Sequence, residues 1–382
     1  MSYQVDADAD ATRQLNYSCA MRTHLVICLD GIGPEYLAAS PTPTFDELGK
    51  RGWRTIGQGA MPSVTNVNNV SIVTSGPPAL HGITANYYFD RVTGQSVYME
   101  SADFILAPTM FEQATQHGRR SMVITSKDKL RTLIARGASE VISAESPPTW
   151  VVDAVGAPRP ILSVEVNHWL FRAAIAACRT QPPDLLYLTL TDYAQHKYAP
   201  ETEESQANIA MLDSLLADLL NAGPEFTLVA TADHGMRAKT RGLDLGKILA
   251  GAGIAADVIP IIKDRYVVHH QNLGGSAYVY LENMVQLAEA VALLQAEPGV
   301  ESVWERAAAA TEFQLHRDRI GDLFVLATEE TVFGALLSAR EEVSVRSHGC
   351  LHTRAVPIIG CGPGLPGEPF KFNYEAANWI RW

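Results

Sequence analysis

The sequence predicts an α/β protein, with a mostly parallel central sheet flanked by helices and an inserted α+β cap lobe over residues 258–340. Three observations predict it. Short apolar runs rich in branched residues end on carboxylates at Thr23 to Gly31, Pro182 to Asp192 and Phe226 to Gly235. Such runs read as buried strands whose C-terminal mouths face the ligand crevice of an open α/β sheet. Helical stripes lie between the strands, clearest over Thr202 to Leu220 with Ile209, Leu212, Leu215, Leu216, Leu219 and Leu220, and this alternation is what builds parallel sheets. From about residue 258 the texture changes to closely spaced short strand candidates.

In chain order, residues 1–21 read as a flexible tail, and the core is expected over 22–257 and 341–382. The first strand ends on Asp30. Pro43 to Gly52 reads as a short helix opened by its Pro-Thr start. Met61 to Ser75 begins with a Ser/Thr/Asn-rich stretch suited to capping a helix N-terminus, and Thr65 lies within it. His81 to Asp90 reads as a turn followed by an extended aromatic segment containing Asn86. Arg120 to Leu130 is expected as a strand whose exit carries Lys127 and Lys129; in an extended segment, residues two apart share a face. Asp192 ends the next strand, and His196 follows one helical turn later. In the lobe, Arg265 to His270 and Ser276 to Leu281 are expected to pair across the Gly274-Gly275 turn. A helix over Met284 to Leu294 and strands at Val300 to Trp304 and Asp322 to Ala327 complete it. The core resumes through Val345 to His352 and the strand Val356 to Gly360.

Composition bounds the function. The chain has 382 residues, 47% hydrophobic and 19% charged, enough for a large core. Its net charge of −12, with no basic block, repels nucleic acid and anionic lipid, so an anionic substrate must be attracted locally. The five cysteines, Cys19, Cys28, Cys178, Cys350 and Cys361, are odd in number and lack a CxxC, which argues against a disulfide framework or thiolate metal site. Met1 to Asn16 is polar and acidic, with no secretory pattern, and no apolar run approaches the roughly 18 residues a span needs. A cytoplasmic protein is expected.

Gathered together, the strand ends supply Asp30, Asp192, His196, Asp233, His234 and a late histidine, His348 or His352. This is a mixed oxygen and nitrogen set suited to two Zn²⁺-type ions with open positions. Two ions about 4 Å apart can clamp both sides of an in-line displacement at phosphorus. The Thr65 loop offers a hydroxyl. His269 and His270 would point to opposite faces of a strand and are read as structural; Trp304, Trp379 and Trp382 are read as packing residues.

The LDG with Asp30, MPSVTNVNNV with Thr65, HGITANYY, TSKDKL, TDYAQH, TADHGM and RSHGCLH together resemble the phosphonoacetate hydrolase family. That family lies in the nucleotide pyrophosphatase/phosphodiesterase-like branch of the alkaline phosphatase superfamily. The likeness spans residues 24–362 and implies an alkaline phosphatase-like core. It implies a first zinc held by Asp30, Asp233, His234 and the Thr65 oxygen, and a second held by Asp192, His196 and His348. His348 stands in the Ser-His-Gly that looks like the family motif; His352 is the alternate, standing in a His-Thr pair before a Val-Pro strand as in other branches. Thr65 would be the nucleophile, giving a phosphothreonine that water hydrolyses. Asn86 would donate to phosphoryl oxygens, and Lys127 and Lys129 would bind the substrate carboxylate beside the developing carbanion. The implied reaction is zinc-dependent cleavage of the carbon–phosphorus bond of phosphonoacetate to acetate and phosphate. Alternatives are another carboxylated phosphonate such as phosphonopyruvate, a phosphodiesterase or phosphomonoesterase on the same core, and a metal-binding scaffold without catalysis. The partner implied is a small anionic phosphonate, with no nucleic acid and no membrane; a homodimer is a possible assembly.

Overall fold

Branched apolar runs too short for helices make the centre of the molecule, in a computed structural model that describes residues 22–264 and 271–381. The expected tail at 1–21, the candidate strand Arg265 to His270 with both its histidines, Cys19 and Trp382 lie outside the described residues. In chain order the strands are β1 Arg22–Cys28, β2 Trp53–Gln58, β3 Tyr87–Asp90, β4 Gln95–Tyr98, β5 Ser121–Thr125, β6 Glu140–Ser143, β7 Leu185–Thr189 and β8 Glu225–Thr231. Then come β9 Arg237–Leu243, β10 Ala256–Pro260, β11 Ser276–Leu281, β12 Val300–Glu305, β13 Leu323–Ala327, β14 Thr331–Phe333, β15 Arg340–Ser347 and β16 Ala355–Cys361.

Seven of these form one sheet in the order β2-β16-β8-β1-β7-β5-β6. β8, β1, β7, β5 and β6 run parallel, and β16 is antiparallel to both β8 and β2. The central strands are uniformly apolar because helices cover both faces of a parallel sheet; every residue of β5 and β7 is buried. Register matters for function. Cys28 lies opposite both Thr189 and Thr231, so β1, β7 and β8 end at one level and their next residues emerge at one edge.

A four-stranded antiparallel sheet runs β10-β11-β13-β12. Its pleat divides two cores, as a period of two requires. Ala277, Val279, Leu323 and Val325 pack into a cluster with Leu243, Leu249 and Leu294, while Tyr278, Tyr280 and Phe324 face the main core. A three-stranded sheet, β14-β9-β15, draws together residues on either side of 258–340. No helix among the described residues is long and apolar enough to cross a membrane.

One sequence expectation needs correction. β5 stops at Thr125, and a helix begins at Asp128 and runs to Ile134. Lys127 is its extended N-cap residue and Lys129 lies in its first turn, so the two lysines are not alternate residues of a strand. Burial of Leu130, Leu133 and Ile134, at helical spacing, outweighs continuation of the strand. β11 has its neighbours in β10 and β13. β10 is an edge strand, where Pro260 costs no ladder bond.

Candidate functional site

The level edge of β1, β8 and β7 releases Asp30, Asp233 and Asp192 side by side, all at most 4% exposed. Asp192 caps a short helix, Tyr193–Lys197, which brings His196 back so that its Nε2 lies 3.0 Å from Asp192 Oδ2. His234 Nε2 lies 3.5 Å from Asp30 Oδ1 and 3.6 Å from Asp233 Oδ2. His348, arriving after β15, sets its Nε2 3.7 Å from Asp192 Oδ2 and stacks on His234 at 3.6 Å between ring centroids. Two groups result, Asp30 with Asp233 and His234, and Asp192 with His234 and His348, each with its ligand atoms within 4.8 Å of one another.

The imidazoles are oriented alike. Nδ1 of His196, His234 and His348 each faces a backbone carbonyl, of Arg346 at 2.7 Å, Gly235 at 3.0 Å and Ser63 at 3.0 Å respectively. A carbonyl only accepts, so each Nδ1 carries the hydrogen, and each Nε2 of a neutral ring turns a lone pair toward the carboxylates. Lone pairs facing lone pairs need a shared proton or a cation between them. Carbonyl-held imidazoles of this kind are the usual supporting shell of metal-ligating histidine. Asp30 Oδ1 is buried with no hydrogen-bond partner among the described residues. The donor set therefore fits divalent cations.

The electrostatics agree. Burial, then the charges of Asp192 and Asp233, push Asp30 well above the usual carboxylate range, and burial also raises Asp233. Burial would raise Asp192 too, but His196, Lys127 and His348 hold it well below that range. Burial lowers His234 to about 4 and, with His234 beside it, depresses His348 strongly. Three buried carboxylates this close cannot all carry charge without compensation, which a cation would supply.

Thr65 opens the helix Thr65–Thr74, with Oγ1 3.2 Å from His234 Nε2. A helix N-terminus favours negative charge. Two asparagines of the same helix hold this corner. Asn68 accepts from the Ala60 N–H and donates to the carbonyls of Ala60, Pro62 and Val64, pinning the loop before Thr65. Asn69 donates to the Thr65 carbonyl at 3.0 Å and toward Asp233 Oδ2 at 3.5 Å, while its Oδ1 accepts from Tyr187 and Thr189.

A cleft over these groups is lined by Asp30, Thr65, Asn86, Lys127, Lys129, Asp192 and His348, together with Asn66, Ser126, Ile262 and Asp264. Asn86 Oδ1 is buried there without a hydrogen-bond partner among the described residues. Lys127 is close enough for its charge to lower both Asp30 and Asp192. Lys129 Nζ is bracketed by Asp264 at 2.8 Å and Glu100 at 3.5 Å. His352 stands apart, a third exposed, with Nε2 2.8 Å from Glu301. Sequence reasoning missed Ser126, which sits inside the TSKDKL segment, and Asn69, inside TNVNN; Asp264 and Glu100 carry no sequence signal.

The family model for type I phosphodiesterase / nucleotide pyrophosphatase matches residues 24–350. Phosphonoacetate hydrolase from Sinorhizobium meliloti 1021, solved in complex with phosphonoacetate, superposes with a TM-score of 0.84 at 35% identity, covering 94% of each chain. The same enzyme with phosphonoformate gives 0.84 at 34% identity and the same coverage. Murine ectonucleotide pyrophosphatase / phosphodiesterase 5 shares the fold, with a TM-score of 0.66 at 18% identity over 92% of this chain and 90% of that one. An uncharacterized pyrophosphatase/phosphodiesterase of Schizosaccharomyces pombe is 25% identical over 225 residues, 56% of this chain and 44% of the relative. The match thus spans less than half of that curated relative.

Proposed function

Because the chain belongs to the type I phosphodiesterase / nucleotide pyrophosphatase family, a family of hydrolases, we propose that it hydrolyses the carbon–phosphorus bond of phosphonoacetate, giving acetate and phosphate. The observation that carries this reading is the lining of one cleft by Thr65, by Asp30, Asp192 and His348 of the Asp/His cluster, and by Lys127 and Lys129. A phosphoryl site and a carboxylate site lie within one small ligand's reach. The S. meliloti enzyme solved with phosphonoacetate supports the same substrate.

In this reading Thr65 Oγ1 attacks phosphorus, and the C–P electron pair passes to the departing carbon. A carbanion is a poor leaving group unless an adjacent carboxylate spreads its charge. Lys127 and Lys129 stabilise that charge as it grows, which lowers the barrier because the interaction strengthens in the transition state. Asn86 donates its amide to a phosphoryl oxygen, and the N-terminus of the Thr65 helix adds its dipole. The carbanion takes up one proton, balancing the one Thr65 gives up on attack, to become acetate, and water then hydrolyses the phosphothreonine to phosphate and restores the Thr65 hydroxyl. Asp30, Asp233, His234 and Thr65 would hold one zinc and Asp192, His196 and His348 the other, with His348 favoured over His352 by its place in the cluster. Bound there, the ions would lower the pKa of a coordinated hydroxyl and neutralise phosphoryl oxygens. Residues 258–340 act as a cap lobe that brings Ile262 and Asp264 to the cleft.

A second reading, hydrolysis of phosphate esters on the same core, is favoured by the family model itself. Metal analysis combined with phosphate release from phosphonoacetate tests the first. About two equivalents of zinc and catalytic release are expected; a preparation that is metal-free after zinc loading, or loaded yet inert on phosphonoacetate, overturns it.

A further inference from the structure

Lys127 and Lys129 are not equivalent. The charge of Lys127 acts on Asp30 and Asp192, whereas the ammonium of Lys129 sits between Asp264 at 2.8 Å and Glu100 at 3.5 Å. We infer that Asp264 is a positioning residue that holds the Lys129 ammonium where the substrate carboxylate docks. The inference rests on the proposed carboxylate-binding role of the two lysines.

The bracket is built, not incidental. Asp264 and Glu100 side chains are only 12% and 19% exposed, and Lys129 14%. Asp264 comes from 135 residues away in the chain, so it is no neighbour of Lys129 by sequence. Its backbone is fixed in both directions by one side chain: the Asp264 N–H donates to Asn272 Oδ1 at 3.0 Å, and Asn272 Nδ2 donates to the Asp264 carbonyl at 3.3 Å. The residue before it, Lys263, lays its ammonium 3.9 Å from the centroid of the Tyr87 ring, one residue from Asn86. Lys263 and Asp264 are thus each held beside the cleft that Asp264 itself lines.

A lysine side chain has four flexible bonds and loses much rotamer freedom when held in one place. An ammonium fixed beforehand spares the incoming carboxylate that entropy. It has three N–H donors, so two bracketing carboxylates leave room for a third acceptor. Because Asp264 acts through Lys129, its removal should weaken both capture of the carboxylate and support of the charge that grows beside it, and nothing beyond what loss of Lys129 itself removes.

The test is steady-state kinetics on phosphonoacetate with the zinc-loaded wild type, Asp264→Asn, Asp264→Glu, Lys129→Ala and the Asp264→Asn/Lys129→Ala pair. Asp264→Asn should lower kcat/KM about tenfold. Asp264→Glu should recover most of the loss, and the pair should be no worse than Lys129→Ala alone. An unchanged or raised kcat/KM in Asp264→Asn, no recovery in Asp264→Glu, or a pair worse than Lys129→Ala overturns the inference. A wild type inert on phosphonoacetate instead overturns the substrate reading beneath it, and the inference with it.

Discussion

Asn69 offers a prediction whose size follows from its geometry. Its Oδ1 accepts from Tyr187 Oη at 2.7 Å and Thr189 Oγ1 at 2.9 Å, with all three side chains fully buried. A flipped amide would put its oxygen against the Thr65 carbonyl and the Asp233 carboxylate, so these acceptors fix which way Asn69 points. Tyr187→Phe or Thr189→Val alone leaves Oδ1 one donor and should cost about 1 kcal/mol each, the net worth of a neutral hydrogen bond. Both together orphan a buried acceptor, which costs on the order of 1–3 kcal/mol more. The double variant should therefore lose roughly 3–5 kcal/mol, more than the sum of the singles. A double-mutant cycle on metal-free protein, by urea unfolding followed through tryptophan fluorescence, measures the coupling. Zinc retained after dialysis gives the consequence at the site, since the same amide faces Asp233. Additivity within about 0.5 kcal/mol would refute the reasoning.

Two further outcomes are expected. In Lys127→Ala/Lys129→Ala, loss of two charge-assisted contacts worth about 1.5–3 kcal/mol each should cut phosphonoacetate turnover about 10²–10⁴-fold while sparing an aryl phosphate ester; equal loss on both substrates counts against the carboxylate role. His81 accepts the Ile83 N–H at Nδ1 and so donates from Nε2 to Ser71 Oγ, neutral and fully buried. Burial lowers it from 6.5 to about 3. Its folded-state pKa lies below the unfolded value, so the unfolded chain binds the extra proton, and stability present above pH 6.5 is lost as the pH falls toward 3. His81→Gln should flatten the pH dependence of urea unfolding by up to about 1.4 kcal/mol per unit across that window, and an unchanged slope would contradict it.

Much of the fold was legible because its central strands carry one-sided information: apolar residues until the edge, then a carboxylate. Asp30, Asp192 and Asp233 could be gathered before any register was known, since parallel strands of similar length end at one level. Lys127 and Lys129 line the cleft, but from a helix start and not from the strand that was expected. Their spacing fits a strand, but Leu130, Leu133 and Ile134 after Asp128 were the readable sign of a helix. The neighbours of β11, β10 and β13, were harder, because strand pairing is decided by distant contacts. Asp264 and Glu100 belong to no motif and reach Lys129 only through the tertiary fold.

The late histidine shows why local sequence stops short of a site. His348 and His352 lie on one short segment, and each sits in a motif-like context. What separates them is Ser63, far away in sequence. Its carbonyl accepts from His348 Nδ1 at 3.0 Å, and its hydroxyl donates to the Cys350 carbonyl at 2.8 Å. Thr353 Oγ1 lies 2.9 Å from the same hydroxyl. Ser63 stands two residues before Thr65, in the loop that Asn68 pins from the other side. The loop that presents the proposed nucleophile is therefore the loop that orients His348, so a shift in either moves the other. His352 has no such tie and spends its ring nitrogen on Glu301 at the surface. A ligand that must stay in step with the nucleophile belongs on the element that shares its support, and His348 meets that condition.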